Sequence, residues 1–187
     1  MLHSLWETEE RREKELEELL FDVAQGDPEA MEALYRQTSK SVFGYALSIL
    51  RSPVDAEDVL HDCFVQVFQK ASGYRSAGKP MAWILTIARN LCRDAMRKRR
   101  KSPLLSEAEQ LDQAAEENGL THEERLLLDE CMNRLRDEER QIVVLHAVSG
   151  FKHQEIADWL QIPLSTVLSK YRRALIKLRT AMLKGEP

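Results

Sequence analysis

Residues 153–175 read "HQEIADWLQIPLSTVLSKYRRAL". Two helical patterns flank a break from Gln161 to Pro163. Ala157 is the small residue that lets two helices cross closely, and Ile156, Leu160, Ile162 and Val167 are apolar where the angle between them must be buried. This is the pattern of a helix-turn-helix. Placing Val167, Tyr171, Ala174, Leu175 and Leu178 inward leaves Ser165, Thr166, Ser169, Lys170, Arg172, Arg173 and Lys177 outward or flanking. The first residues of such a helix can reach base edges in a major groove, and later cations can meet phosphates. Two positions depart from the usual pattern. Gln161 stands where glycine commonly supplies a positive φ, and Lys152 stands where a Ser or Thr cap is usual. An ordinary helical hairpin with a solvated cationic face would share much of this pattern.

The charge of this segment contrasts with the rest of the chain. Residues 160–179 carry Lys170, Arg172, Arg173, Lys177 and Arg179 and no acid, yet the 187-residue chain has a net charge of -4. Ala, Leu, Glu, Arg and Lys dominate, which favours helices. A hydrophobic fraction of 43% with 31% charged residues belongs to a folded globular chain. Cys63, Cys92 and Cys131 fall on apolar sides of helical patterns without metal-ligand spacing, so they are expected to be buried thiols in a reducing compartment. Glu7 to Glu18 fills the place of a signal core, and no apolar run approaches the ~20 residues that span a bilayer. A cytoplasmic protein without membrane insertion is expected.

Upstream, the chain reads as a series of helices. Residues 7–21, "ETEERREKELEELLF", suggest a solvated Glu-rich helix with a weak apolar signal at Leu16, Leu19 and Leu20, or an arm that touches a partner or masks a basic surface. Asp27 and Pro28 have the chemistry of an N-cap and first helical residue. Ser52 and Pro53 repeat it, and Ala56, Val59, Leu60, Cys63, Phe64, Val67, Phe68 and Ala71 follow as one apolar stripe. The loop "SGYRSAGKP" precedes a helix from about Pro80 to Lys101 that ends in "RDAMRKRRK". Residues 102–119 are acidic with little periodicity and read as a linker. Thr121 with Glu124 has capping-box spacing, and Asp137 can cap a helix that Gly150 ends. The expected fold is all-α: two small helical domains joined by an acidic linker. The expected divisions are an arm at 1–25, a first domain at 26–101, a linker at 102–120 and the helix-turn-helix domain at 121–187.

Two surfaces of the first domain carry candidate chemistry. Asp55, Asp58 and Asp62, with Gln66 further along, stack on one helix face at steps of three and four. They read as a solvated face or as a docking strip for a basic partner. Tyr74 and Arg75, then Trp83, Arg89, Asn90 and Arg93, interleave aromatics with cations and an amide, which suits single-stranded nucleic acid. Trp83 also has the spacing of a core residue with Ile87 and Leu91, and Arg97 to Lys101 reads equally as a solvated helix end or a phosphate contact. No catalytic, metal or cofactor constellation is present in the sequence. A DNA-binding regulator that acts without a larger assembly would explain residues 121–184 but gives no work to the acidic strip. A two-domain adaptor that binds no DNA is a further alternative.

"DAEDVLHDCFVQVF" at 55–68, "AWILTIARN" at 82–90, a basic run, a linker and a C-terminal helix-turn-helix, in this order, resemble the extracytoplasmic-function (ECF) sigma factors of bacteria over about residues 26–184. The resemblance implies only sigma regions two and four. It implies that Asp55, Asp58, Asp62 and Gln66 dock on the clamp helices of core RNA polymerase. Tyr74, Arg75, Trp83, Arg89, Asn90 and Arg93 would capture the non-template strand of the minus-ten promoter element and promote opening. Region four would grip the polymerase flap and read the duplex minus-thirty-five element through Ser165, Thr166, Ser169, Lys170, Arg172, Arg173 and Lys177. An anti-sigma protein is an expected partner. Leu168 stands where related factors often carry a cation; packing inward is expected over contact with a thymine methyl or an anti-sigma surface.

Overall fold

The computed structural model describes residues 2–76, 78–101 and 122–184, and these contain α-helices, one 3-10 turn and no strand. The chain divides into two units, Met1–Glu107 and Ala108–Pro187. The expected linker at 102–120, and Thr121 of the expected capping pair, lie outside the described residues.

The first unit holds α1 (Leu2–Ala24), α2 (Pro28–Leu50), α3 (Pro53–Lys70), a 3-10 turn (Ala71–Gly73) and α4 (Pro80–Lys101). Capping chemistry sets two of the starts. Asp27 accepts from the Glu29 and Ala30 amides at 2.8 and 3.4 Å, with Pro28 in the first turn of α2. The Ser52 hydroxyl accepts from the Asp55 amide at 3.3 Å, with Pro53 opening α3. Both prolines occupy positions whose amide would have no helical partner. The core is the apolar face of each helix turned on the others: Leu34, Val42, Tyr45 and Ala46 from α2, Ala56, Val59, Cys63 and Val67 from α3, and Ile84, Leu85, Ala88 and Cys92 from α4. Burial pushes the Cys63 and Cys92 thiols up to about 12, so both remain protonated, inert core groups.

The solvated N-terminal helix expected from the Glu-rich sequence is corrected. Helix α1 packs against α2, α4 and the 3-10 turn. Leu16 and Leu20 are fully buried and Val23 is 2% exposed. The steps of four and three between them place all three on one face. Glu10, Glu15 and Glu18 are exposed, and the abundance of glutamate hides how narrow the apolar stripe is.

The second unit holds α5 (His122–Asn133), α6 (Asp137–Ala147), α7 (His153–Leu160) and α8 (Leu164–Lys184). Leu135, Val143 and Ala174 form a buried cluster against which Met132, Tyr171 and Leu178 pack. Asp137 is the first helical residue of α6 and not its cap. The Arg136 amide at the cap position donates to the Glu139 carboxylate at 3.0 Å. Lys152 is treated the same way: its amide donates to Glu155 at 2.9 Å. A carboxylate three residues into the helix thus closes the entrance where the cap residue itself has no acceptor. Gly150, at φ +79, lets the Phe151 amide return to the Leu145 carbonyl at 2.9 Å after α6.

The turn of the helix-turn-helix runs through Gln161 at φ 56 and ψ 44, the left-handed region. Its side-chain amide donates to the Asp158 carbonyl at 2.6 Å. The next amide, Ile162, donates to the Ala157 carbonyl at 3.1 Å. Gln161 therefore performs the turn that glycine commonly performs, with a side-chain hydrogen bond offsetting part of the strain.

Candidate nucleic-acid and docking interfaces

Helix α3 presents the acidic strip. Asp58 and Asp62 are exposed, while Asp55 and Gln66 are half-buried. Asp55 lies 4.0 Å from the Arg99 guanidinium of α4, and Gln66 accepts from Lys70 at 2.5 Å. The strip is therefore fully open only at its middle. Beside it runs an open apolar groove of about 620 Å³ between α2 and α3, with Met31, Tyr35, Phe64 and Phe68 among its walls. The rings of Tyr35 and Phe64 meet at 4.7 Å, although Tyr35 is 45% exposed.

The second surface joins the loop after α3 to the start of α4. Tyr74 and Trp83 are half-buried and meet edge to face with centroids 5.2 Å apart. From Trp83, helical steps of seven and three lead to Asn90 and Arg93, both exposed on the same face. Arg75 is exposed and Arg89 is half-buried. Trp83 is thus packed only in part, and it borders the loop through Tyr74. Sequence reasoning missed Glu17 of α1 at this surface. Its Oε1 accepts from the Tyr74 hydroxyl at 3.0 Å, the Ser76 hydroxyl at 2.8 Å and the Gly78 amide at 2.9 Å. The Ser76 hydroxyl first, then the Tyr74 hydroxyl and the Gly78 backbone amide, hold the Glu17 carboxyl below its ordinary value against the opposing effect of burial.

The third surface is α8. Ser165, Ser169, Arg172 and Arg173 are exposed, and Thr166 is half-buried. The Ser169 hydroxyl donates to the Thr166 carbonyl at 2.9 Å, and Arg173 Nε reaches the Ser169 carbonyl at 3.3 Å. Lys170 and Lys177 do not simply project outward. Lys170 is ion-paired to Glu138 of α6 with its side chain 23% exposed. Lys177 donates to Glu139 of α6 at 2.6 Å. Glu139 is 4% exposed. Burial pushes its carboxyl up, but Lys177 and the Arg136 amide outweigh that and hold it below its ordinary value. Two expected inward residues are also corrected. Leu175 is 44% exposed and Leu168 is 47% exposed. The buried seam of α8 is Val167, Ala174 and Ala181, a step of seven, with Tyr171 and Leu178 at its flanks. Leu168 is one residue beyond that seam and turns to solvent with Arg172.

The base of α8 carries a ring cluster that periodicity did not reveal. His146 from the end of α6, His153 from the start of α7 and Tyr171 meet pairwise at 4.2, 5.0 and 4.8 Å. His146 Nδ1 lies 2.8 Å from the Phe151 carbonyl, and His153 Nε2 is buried without a hydrogen-bond partner. Burial, and then His146, hold the His153 imidazole below its ordinary value. Among the described residues no group of His, Cys, Asp or Glu could hold a metal ion, and no helix is long and apolar enough to cross a membrane.

Residues 34–102 match the family model for Sigma-70 region 2, and residues 125–178 match that for Sigma-70, region 4. The chain is 31% identical over 176 residues to the ECF RNA polymerase sigma factor SigK of Mycolicibacterium vanbaalenii, covering 90% of this chain and 89% of that protein. It is 28% identical over 179 residues to SigK of Mycobacterium tuberculosis, covering 92% and 96%. Two solved structures share the fold. The sigma factor RpoE, in complex with the anti-sigma factor NepR from Bartonella quintana, superposes with a TM-score of 0.65 at 22% identity over 83% of this chain and 98% of that one. CnrH, in complex with the cytosolic domain of CnrY, gives a TM-score of 0.61 at 23% identity over 92% and 99%. An all-α fold with an acidic α3 in the first unit and a helix-turn-helix in the second, matched in order by both sigma regions, gives the conclusion: the chain belongs to the ECF RNA polymerase sigma factors, which act in transcription initiation.

Proposed function

We propose that the three surfaces divide the work of initiation. The exposed carboxylates of Asp58 and Asp62, flanked by Asp55 and Gln66, dock on the basic partner surface offered by the clamp helices of core polymerase. Tyr74, Arg75, Trp83, Arg89, Asn90 and Arg93 capture the non-template strand of the minus-ten element. Ser165, Thr166, Ser169, Arg172 and Arg173 meet the duplex minus-thirty-five element, and the same unit contacts the polymerase flap. Lys170 and Lys177 join them only when their pairs with Glu138 and Glu139 open. The observation that carries this reading is the segregation of charge, with open carboxylates on α3 and open guanidinium groups on α8 of a net-acidic chain. A free protein so charged is kept off non-specific DNA, while its polymerase supplies the remaining affinity.

The domain division follows from these roles: residues 26–101 as the region-two domain, 102–120 as linker and 121–187 as the region-four domain, with α1 added to the first by its packing. In this reading the protein works in the cytoplasm as a binding factor and not as an enzyme. RpoE and CnrH were solved with NepR and CnrY, and by analogy an anti-sigma protein is a partner of this chain. The test is a shift assay on promoter fragments identified by sequencing transcripts started by core polymerase plus this protein. The expected result is a shift and defined start sites only when both are present. A shift by the protein alone, unchanged by polymerase, supports the rival of an independent DNA-binding regulator.

A further inference from the structure

The matched region-two segment begins at residue 34, yet a side chain of α1 completes the loop that this reading assigns to single-strand capture. We propose that Glu17 is a positioning residue for that capture: its carboxylate holds Tyr74, Ser76 and Gly78 in the shape that receives the non-template strand. The inference rests on the assignment of Tyr74 to the minus-ten site.

The geometry is that of a clamp. One oxygen, Oε1, takes donors from alternate positions of the loop, at 3.0, 2.8 and 2.9 Å. Two are hydroxyls and one is a backbone amide, so side chains and main chain are fixed together. Gly78 sits at φ +67, and a Cβ there would meet nothing within 4 Å. The glycine is thus needed for its backbone conformation and not for space, and that conformation delivers its amide to Glu17.

The helix that carries the carboxylate is itself anchored. Leu16 on one side of Glu17 and Leu20 one turn later are fully buried. Helix α1 packs on the 3-10 turn that opens the loop and on α4 that follows it. Tyr74 is consequently restrained at both ends, its hydroxyl on Glu17 and its ring edge to face with Trp83 at 5.2 Å. A stacking platform fixed before the base arrives loses less conformational freedom on binding than a loop that must first be ordered. The carboxyl is held below its ordinary value by the Ser76 hydroxyl first, so it stays ionised, and its hydrogen bonds stay charge-assisted, at neutral pH.

The experiment uses holoenzyme made from the full chain and core polymerase. Its probe is a short labelled single-stranded DNA carrying the non-template sequence upstream of the start sites mapped for this protein. Glu17→Ala should weaken binding by about tenfold, the scale of losing one or two charge-assisted hydrogen bonds. Glu17→Gln keeps an acceptor at the same reach and should stay within about threefold of the parent. Binding to core polymerase and to minus-thirty-five duplex should not change for either. Should Glu17→Ala not fold, Ser76→Ala removes one donor and should weaken the oligonucleotide alone, by a smaller factor. Parent-like binding by Glu17→Ala, or by Ser76→Ala where that stands in, overturns the proposal, as does a loss spread equally over oligonucleotide, duplex and polymerase. Asn90→Ala and Arg93→Ala separate this failure from that of the underlying assignment. If they weaken the oligonucleotide while Glu17→Ala does not, only the role of Glu17 is lost. If they too leave it unchanged, the minus-ten assignment falls with it.

Discussion

Glu138 of α6 and Lys170 of α8, 32 residues apart in sequence, are joined as an ion pair. The cation best placed by its position in α8 to reach a base edge is thereby turned toward its own protein. Lys177 and Glu139 repeat the arrangement two turns on. The guanidinium groups of Arg172 and Arg173 remain on the exposed side. Free cations and paired cations should therefore respond differently to substitution.

Arg173→Ala should weaken holoenzyme binding to every upstream sequence alike and lower the salt slope by about one. Lys170→Ala in the parent should have little effect on that slope. In a Glu138→Gln background the lysine is released, and Lys170→Ala should then lower the slope by about one. Competition binding at several salt concentrations against a library randomised upstream measures both. Equal effects of Lys170→Ala in the two backgrounds, or a re-ranking of sequences in the parent, would show that DNA displaces Glu138 without difficulty.

Charge reversal at the open middle of the α3 strip, Asp58→Lys with Asp62→Lys, should weaken binding to core polymerase by about tenfold or more, since like charges then face each other across the interface. Circular dichroism should be unchanged because both residues are exposed. Asp55→Lys is a less clean test, as Asp55 also borders Arg99 at 4.0 Å. Parent-like capture of polymerase by the doubly reversed chain would remove the docking role.

At the turn between α7 and α8, Gln161→Gly should stabilise the second unit by about 0.5–1 kcal/mol. Relief of left-handed strain of about 1–2 kcal/mol outweighs the lost hydrogen bond and the added freedom of the unfolded chain. Gln161→Val keeps the strain, adds a β-branched side chain and should destabilise by about 1–2 kcal/mol. Hydrogen exchange of α7 and α8 amides in denaturant gives the two values. A Gly variant less stable than the parent would mean that the bond from the Gln161 amide to Asp158 outweighs the strain.

The histidine cluster makes the second unit sensitive to acid. A folded His153 held below its ordinary value binds fewer protons than the unfolded chain as pH falls past the unfolded imidazole value near 6.5. Stability is therefore fully present above that value and is lost progressively below it. The thermal midpoint of the second unit should fall between neutral pH and pH ~5.5. His153→Phe, which keeps a ring against His146 and Tyr171, should flatten that fall. An identical pH profile in the variant assigns the acid sensitivity to other groups.

The architecture was legible because its signals are local. Ser52, Pro53 and the stripe from Ala56 to Val67 announce α3 within eighteen residues, and Gln161, standing where glycine is common, announces the left-handed turn. What escaped lies in pairings between distant segments. Tyr74 and Glu17 are 57 residues apart, and periodicity states which side of a helix is apolar, never which helix covers it. The same limit explains Lys170, whose place on a helical wheel is right for a groove but whose direction is decided by Glu138 from another helix. Leu168 and Leu175 failed for a narrower reason: each follows a seam residue, Val167 or Ala174, by one position, which turns it about 100° round the helix and out of the narrow buried seam.

Helix α1 has a consequence for how such factors can be recombined. Leu16, Leu20 and Val23 are 0, 0 and 2% exposed, and all precede the matched segment. Burial of side chains this size contributes roughly 1.5–3 kcal/mol each, against a net stability for a whole domain of about 5–15 kcal/mol. A chimera spliced at the first matched residue would inherit every position by which region two is recognised, yet begin with an open core and a loop missing its carboxylate. The portable module starts one helix earlier, with α1.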